Sequence, residues 1–348
     1  MTKPTPVFDG HNDVLLRLYK SASKDPVADF LEGEEAGHID LKKAKAGSLI
    51  GGLFALYSPS ATKSRLPDGQ PSPTLPPPLS MDDARRSIVG ELAILLKIER
   101  ASKGAVAICR SVADIRSAMA REALAAVVHI EGADAIDAEL DFLHVLYAAG
   151  LRSLGPVWSR TNIFGHGVPF RFPSSPDTGN GLTAAGENLV RVCNELRILI
   201  DLSHITEKGF WDVARLSTAP LIATHSNAHA LCPSPRNLTD RQLAAIRDTG
   251  GMVGLNFATG FLRPDGSMRA DTDIELMVRH LDYLIEKLGE DHVGLGSDFD
   301  GAMVPEKIGS AAGLPVLFEA LRARGYPEPL LTKLGAGNWL DVLARTIG

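Results

Sequence analysis

The chain has 348 residues, 45% hydrophobic and 22% charged, the make-up of an ordinary globular protein and not of a disordered or fibrous one. Its formal net charge is -6 with acidic and basic residues interleaved, so no basic stripe offers itself to nucleic acid. Three scattered cysteines exclude a disulfide framework or thiolate metal site, and no signal-type or membrane-spanning apolar run is present, so the expectation is a cytoplasmic protein without a membrane partner.

From the N-terminus onward, short apolar or β-branched runs bounded by Gly, Pro or polar residues predict eight strands, at 6–9, 50–57, 125–130, 151–157, 198–203, 220–224, 251–257 and 292–297. Helical periodicity over 81–102, 135–149, 183–197, 238–249 and 273–288 separates most of them, and two further helical stretches near 313–324 and 327–346 close the chain. Thr183, Thr206 and Thr239 each stand just before a helical stretch as N-caps. Alternating strands and helices imply parallel pairing, and eight such units favour an α/β fold of the (β/α)8 TIM-like barrel type over an open sheet, as one domain spanning 1–348. Two long loops, 58–80 and 159–182, follow the second and fourth strands, on the side where barrel enzymes build their sites, and read as lids or binding walls.

Metal-ligand residue types stand at the C-terminal ends of these strands. The first ends in His11-Asn12-Asp13, the third in Glu131, the fifth in His204, the sixth in His225 and the eighth in Asp298. Side chains two apart on a strand share a side, so His11 and Asp13 can meet at one ion. A lone histidine is more often a hydrogen-bonded structural group, and Asp or Glu in a Gly-rich turn is usually a turn former. Three histidines and three carboxylates at one end of five strands demand a common cause. Five ligands exceed what one catalytic tetrahedral zinc holds but fit two metals sharing a carboxylate. Glu131 is then the bridge, with His11 and Asp13 on one ion, His204 and His225 on the other, and Asp298 left free for proton transfer. His129 faces the same way as Glu131 but deeper, and reads as structural. Asp9 and Asp201 either orient imidazoles or accept backbone bonds. His229 reads as a surface residue, and His166, in the second long loop, as either solvent-exposed or substrate-contacting.

The stretches FDGHND, HIEGAD, GLTAAGENLVRVCNELRILIDLSHI, APLIATHSNAHALCPSPRNLTD, GGMVGLNF and HVGLGSDFDG resemble the renal (membrane) dipeptidase family, zinc dipeptidases within the amidohydrolase-like barrels. They run nearly the whole chain in the family's order, and the HxD opening sets them apart from barrels that open with HxH. The resemblance implies hydrolysis of dipeptides, including L-Xaa-D-Xaa, by attack of a hydroxide bridging two zinc ions. His11, Asp13, Glu131, His204 and His225 would be the ligands, with Glu131 bridging. Asp298 would be the proton shuttle, and Arg236 would bind the substrate's terminal carboxylate, a task that suits a planar guanidinium. One departure stands out. Trp158 occupies the place of a histidine that contacts substrate in mammalian members, so either His166 takes over that contact or Trp158 shapes a narrower apolar pocket. Two rival readings stay open: another binuclear-metal hydrolase of this barrel type (amidase, lactonase or β-lactam hydrolase), and a non-catalytic binding barrel. A homo-oligomer also stays open.

Overall fold

A computed structural model describes residues 4–60 and 72–348. Nine parallel strands form the sheet: β1 (Val7–Asn12), β2 (Leu49–Tyr57), β3 (Val106–Ile108), β4 (Leu124–Glu131), β5 (Leu151–Gly155), β6 (Leu199–Ile200), β7 (Ile222–Ala223), β8 (Met252–Leu255) and β9 (Val293–Leu295). Eight of them run in the order β6-β5-β4-β2-β1-β9-β8-β7, and a parallel bridge from Asp201 to Ile222 joins the two ends into a barrel. The (β/α)8 TIM-like expectation is met. β3 is an addition that the sequence reading missed. It pairs with the first residues of β4, on the edge that β5 takes over only from Val128 onward.

Alternation sorts the core into two layers. Phe8, Leu53, Ala125, Val127, Leu199, Ile222 and Met252 pack together with Trp339, filling the barrel interior, while their neighbours Val7, Phe54, Ala126, Val128 and Val253 pack outward under the helices. Trp339, from the last helix (Asn338–Thr346), bonds Leu295 O through Nε1 at 2.9 Å. Gly10 makes room for it, since a Cβ there would stand 2.3 Å from the indole.

Several elements differ from expectation for local reasons. β6 and β7 are two residues each because the Asp201 carboxylate takes the Ser203 and Thr224 amides at 3.0 and 2.8 Å, replacing ladder bonds at the seam. The helix expected over 135–149 begins at Asp141: Asp137 captures the amides of Asp141 and Phe142, and Leu140 is left-handed at φ 67°. The last helical stretch is broken by a π turn at Lys333–Gly337. Short helices Val14–Lys20, Pro26–Glu32, Leu41–Ala46 and Val112–Ala120 were not anticipated. Thr183, Thr206 and Thr239 do cap their helices, accepting from Gly186, Gly209 and Gln242 amides. Of the first long loop, 61–71 lies outside the described residues. Among the described residues no helix is long and apolar enough to cross a membrane.

Candidate metal centre and active site

The strand ends bring the expected side chains together. Glu131, the last residue of β4, points Oε1 at three imidazoles: His204 Nε2 at 3.0 Å, His225 Nε2 at 3.4 Å and His11 Nε2 at 3.6 Å. Asp13 Oδ2 lies 3.5 Å from His11 Nε2. The two converge by a different route from simple alternation. β1 carries a register shift between Asp9 and Asn12, which lets His11 turn into the lumen, and Asp13 already sits beyond the strand as the residue preceding the first helix. His204 and Asp298 hold their places in left-handed backbone, at φ 70° and 59°. Such conformations cost a non-glycine residue about 1 kcal/mol or more, so the surrounding fold imposes these orientations.

The donor set fits divalent cations. His204 Nε2 and His225 Nε2 face each other at 3.1 Å, while Nδ1 of each is occupied: by Ser159 Oγ at 2.8 Å for His204 and by Thr224 Oγ1 at 2.8 Å for His225. Burial and the charges of Arg236 and His11 push both pKa values well down, so both rings are neutral. With Nδ1 donating, two lone pairs aim at one point, which a cation stabilises. Among the described residues, both nitrogens of buried His11 and Oδ1 of Asp13 lack hydrogen-bond partners. Burial would lower the His11 pKa, but Glu131, Asp13 and Asp298 outweigh it and lift it to about 10, a measure of how strongly these carboxylates call for positive charge. Burial next to Asp13 and Asp298 likewise pushes Glu131 well up. Ligand-type atoms of His11, Glu131 and His225 lie within 4.8 Å of one another, as do those of His11, Asp13 and Asp298. In a third such group, His11 with His129 and Asp201, Asp201 Oδ2 is already engaged by Thr224 Oγ1 at 2.6 Å, and His129 pairs its Nδ1 with Ser153 Oγ at 2.8 Å while its Nε2 has no hydrogen-bond partner among the described residues. Asp201 thus orients His225 through Thr224, and Asp9 braces β1 by accepting Ser297 N and Oγ at 2.7 and 2.8 Å.

Around this cluster stand the other expected residues. Asp298 Oδ2 accepts Asn256 Nδ2 at 2.9 Å, and burial together with Asp13 raises its pKa. Gly301 packs so closely that a Cβ would fall 2.0 Å from Asp13 Oδ2 and 2.7 Å from Asp298 Oδ1. Arg236 is buried, and among the described residues its guanidinium donates to His225 O at 3.2 Å and leaves Nε unpartnered. It makes no ion pair among the described residues, although buried guanidinium groups ordinarily demand one. Trp158 lies 5.7 Å, ring to ring, from His204. His166 is not brought to the cluster: its Nδ1 pairs with Gly181 O at 3.1 Å within its own loop. His229 is no surface ornament, because its Nε2 bonds Ser174 O at 3.1 Å. Sequence reasoning missed the buried Arg160. It pairs with Asp134 Oδ1 at 3.0 Å, donates to Ser58 O and Ser60 Oγ, and braces Trp158 from 5.5 Å.

Comparison with known proteins converges on one family. The model of the membrane dipeptidase family (peptidase family M19) matches residues 1–347. A solved metallopeptidase of family M19, dipeptidase AC, is 54% identical at a TM-score of 0.94, covering 99% of this chain and 100% of its own. A metallopeptidase from Rhodobacter sphaeroides, liganded with a phosphinate mimic of the dipeptide L-Ala-D-Ala, is 53% identical at a TM-score of 0.95 with the same coverage. An uncharacterized protein in the pqqA 5′ region of Klebsiella pneumoniae is 55% identical over 253 residues, 73% of this chain and 93% of its own length. With a match from end to end and the metal-ligand types gathered at the barrel mouth, the chain belongs to the membrane dipeptidase family, peptidase family M19, and is a metal-dependent dipeptidase.

Proposed function

We propose that this enzyme cleaves dipeptides bearing a free C-terminal carboxylate, L-Xaa-D-Xaa among them, at a binuclear zinc centre held by His11 and Asp13 on one side, His204 and His225 on the other, and Glu131 between. The observation that carries this reading is the approach of three imidazole Nε2 atoms to the single Glu131 Oε1, at 3.0–3.6 Å. Imidazole and carboxylate donors without thiolate suit zinc. When bound, such ions polarise the scissile carbonyl and acidify water. The chain's own residues do the rest. Arg236 receives the carboxylate in its unpaired guanidinium and so sets the distance from the C-terminus at which the bond is cut. Asp298, held by Asn256 through Oδ2, takes a proton from the attacking water with its other oxygen and delivers it to the leaving amine. Trp158 cannot become cationic and instead walls the site beside His204. The Rhodobacter relative's L-Ala-D-Ala mimic supports both the dipeptide length and the D-configured C-terminal residue. An enzyme for esters, lactones or lactams without a free carboxylate would have no use for an Arg236 that makes no ion pair among the described residues. We place the protein in the cytoplasm, in keeping with three free, buried cysteines.

The test is a metal analysis paired with a kinetic screen of L,L, L,D and D,D dipeptides. Two zinc per chain, loss of activity on chelation and turnover of carboxylate-bearing dipeptides are expected. Turnover of an ester or lactam with every dipeptide inert would overturn the proposal.

A further inference from the structure

Two of the seams that pin the loop 159–182 flank its middle. Gly167 bridges Ile205, Val168 N donates to His204 O at 2.8 Å and Thr206 N donates to His166 O at 3.2 Å, joining the loop to the segment that carries His204. Farther on, Ser174 N donates to Pro233 O at 2.9 Å and His229 bonds Ser174 O, joining it to the segment that carries Arg236. Phe170 lies between the two seams, half-buried. Its ring meets Trp158 edge-on at 5.6 Å and His204 at 6.4 Å, and stacks on Phe261 at 6.2 Å with 13° between planes. Phe261 in turn lies 5.3 Å from the Arg236 guanidinium.

In a dipeptide, a single carbon separates the terminal carboxylate from the scissile nitrogen. With the carboxylate on Arg236 and the carbonyl at the histidine cluster, that α-carbon is bracketed by Arg236 and His204. Phe170 is the residue whose ring touches both His204 and the phenyl group beside Arg236. Resting on the dipeptidase reading above, we propose that Phe170, backed by Trp158 and Phe261, is the specificity-determining residue that limits the side chain of the substrate's C-terminal residue to a small one. The Phe170 ring already packs against both Trp158 and Phe261, and the loop is pinned on both sides. A bulky side chain could enter only by breaking that packing, which close-packed walls resist.

The test uses the zinc-loaded enzyme and its Phe170→Ala and Phe170→Leu variants on two dipeptide series, one varied at the C-terminal residue and one at the N-terminal residue. Phe170→Ala is expected to raise the kcat/KM ratio of bulky to small C-terminal residues about 10–100-fold, the range that apolar pocket contacts command. Phe170→Leu is expected to do so less, and the N-terminal series should keep its ratio. Both loop seams are made without the Phe170 side chain, so folding should survive, and if Phe170→Ala fails to fold, Phe170→Leu decides. An unchanged C-terminal ratio, a shift confined to the N-terminal series, or loss of all turnover in a folded variant overturns the proposal. Failure of the dipeptidase reading itself would look different, since wild type would then turn over no dipeptide at all.

Discussion

Replacing Arg236 by methionine isolates carboxylate recognition from the chemistry. The guanidinium is buried, gives one hydrogen bond to His225 O at 3.2 Å, and has an unpartnered Nε. Burial pulls its pKa below the usual arginine value, against the pull of Asp298, Glu131 and Asp201. A substrate carboxylate would make two parallel charge-assisted bonds there, and truncating one partner of such a buried pair costs about 2–5 kcal/mol. At about 1.4 kcal/mol per tenfold, KM for a dipeptide should rise at least about 30-fold, with a far smaller change in kcat, because the carboxylate is held equally before and during reaction. The fold should not suffer, since methionine replaces a charge that no internal carboxylate neutralises. Steady-state kinetics on a dipeptide and its C-terminal amide, at equal metal content, provide the assay. Wild type should discriminate against the amide and the variant should not. An unchanged KM for the free acid would refute the assignment of Arg236 to the carboxylate, and with it the argument that its missing ion pair is a substrate site.

Asp298→Asn should cut kcat about 100- to 10,000-fold while leaving the metal content intact; a variant retaining half the wild-type kcat would remove Asp298 from proton transfer. In Gly301→Ala, the new methyl must displace the Asp13 and Asp298 carboxylates, 2.0 and 2.7 Å away, so metal affinity measured by chelator competition should weaken about 10–100-fold with the circular dichroism unchanged. His280 is buried, accepts Ala228 N and donates to Leu262 O, and burial lowers its pKa from 6.5 to about 4. The unfolded chain therefore binds this proton first, and the stability that depends on neutral His280 is complete above pH 6.5 and lost as pH falls toward 4. Denaturant unfolding should give about 2 kcal/mol less from this residue at pH 5 than at pH 7, and His280→Gln should flatten that difference.

The barrel was legible wherever period and punctuation agreed. β2 and β4 are buried along nearly their whole length and pair continuously from Gly51–Ala125 to Tyr57–Glu131, and such apolar runs announce themselves. β6 and β7 were read at the right places but too long, because their apolar pattern does not show a carboxylate competing for the ladder. Asp201 takes two backbone amides and ends the pairing. The late start of the helix after β4 has the same cause in Asp137. β3 spans three residues and is specified by the space that β5 leaves beside β4, a tertiary fact without a local signature.

The site divides along the same line. Ligand chemistry is visible in a sequence because few residue types can bind a cation, so His11, Asp13, Glu131, His204 and His225 stood out at strand ends before any geometry was known. What makes the three histidines usable is geometric: the register shift that turns His11 inward, the left-handed backbone at His204, and the Thr224 hydroxyl that leaves His225 Nε2 free. Arg236 shows the limit of composition. Every arginine looks alike in a chain, and resemblance to a family, not chemistry, singled it out. Only its burial without an internal carboxylate distinguishes it from Arg160, which is equally buried but satisfied by Asp134. A charge that the fold desolvates without a paired carboxylate among the described residues invites a charge from outside, and the proposed assignment of Arg236 to the substrate carboxylate rests on that missing partner.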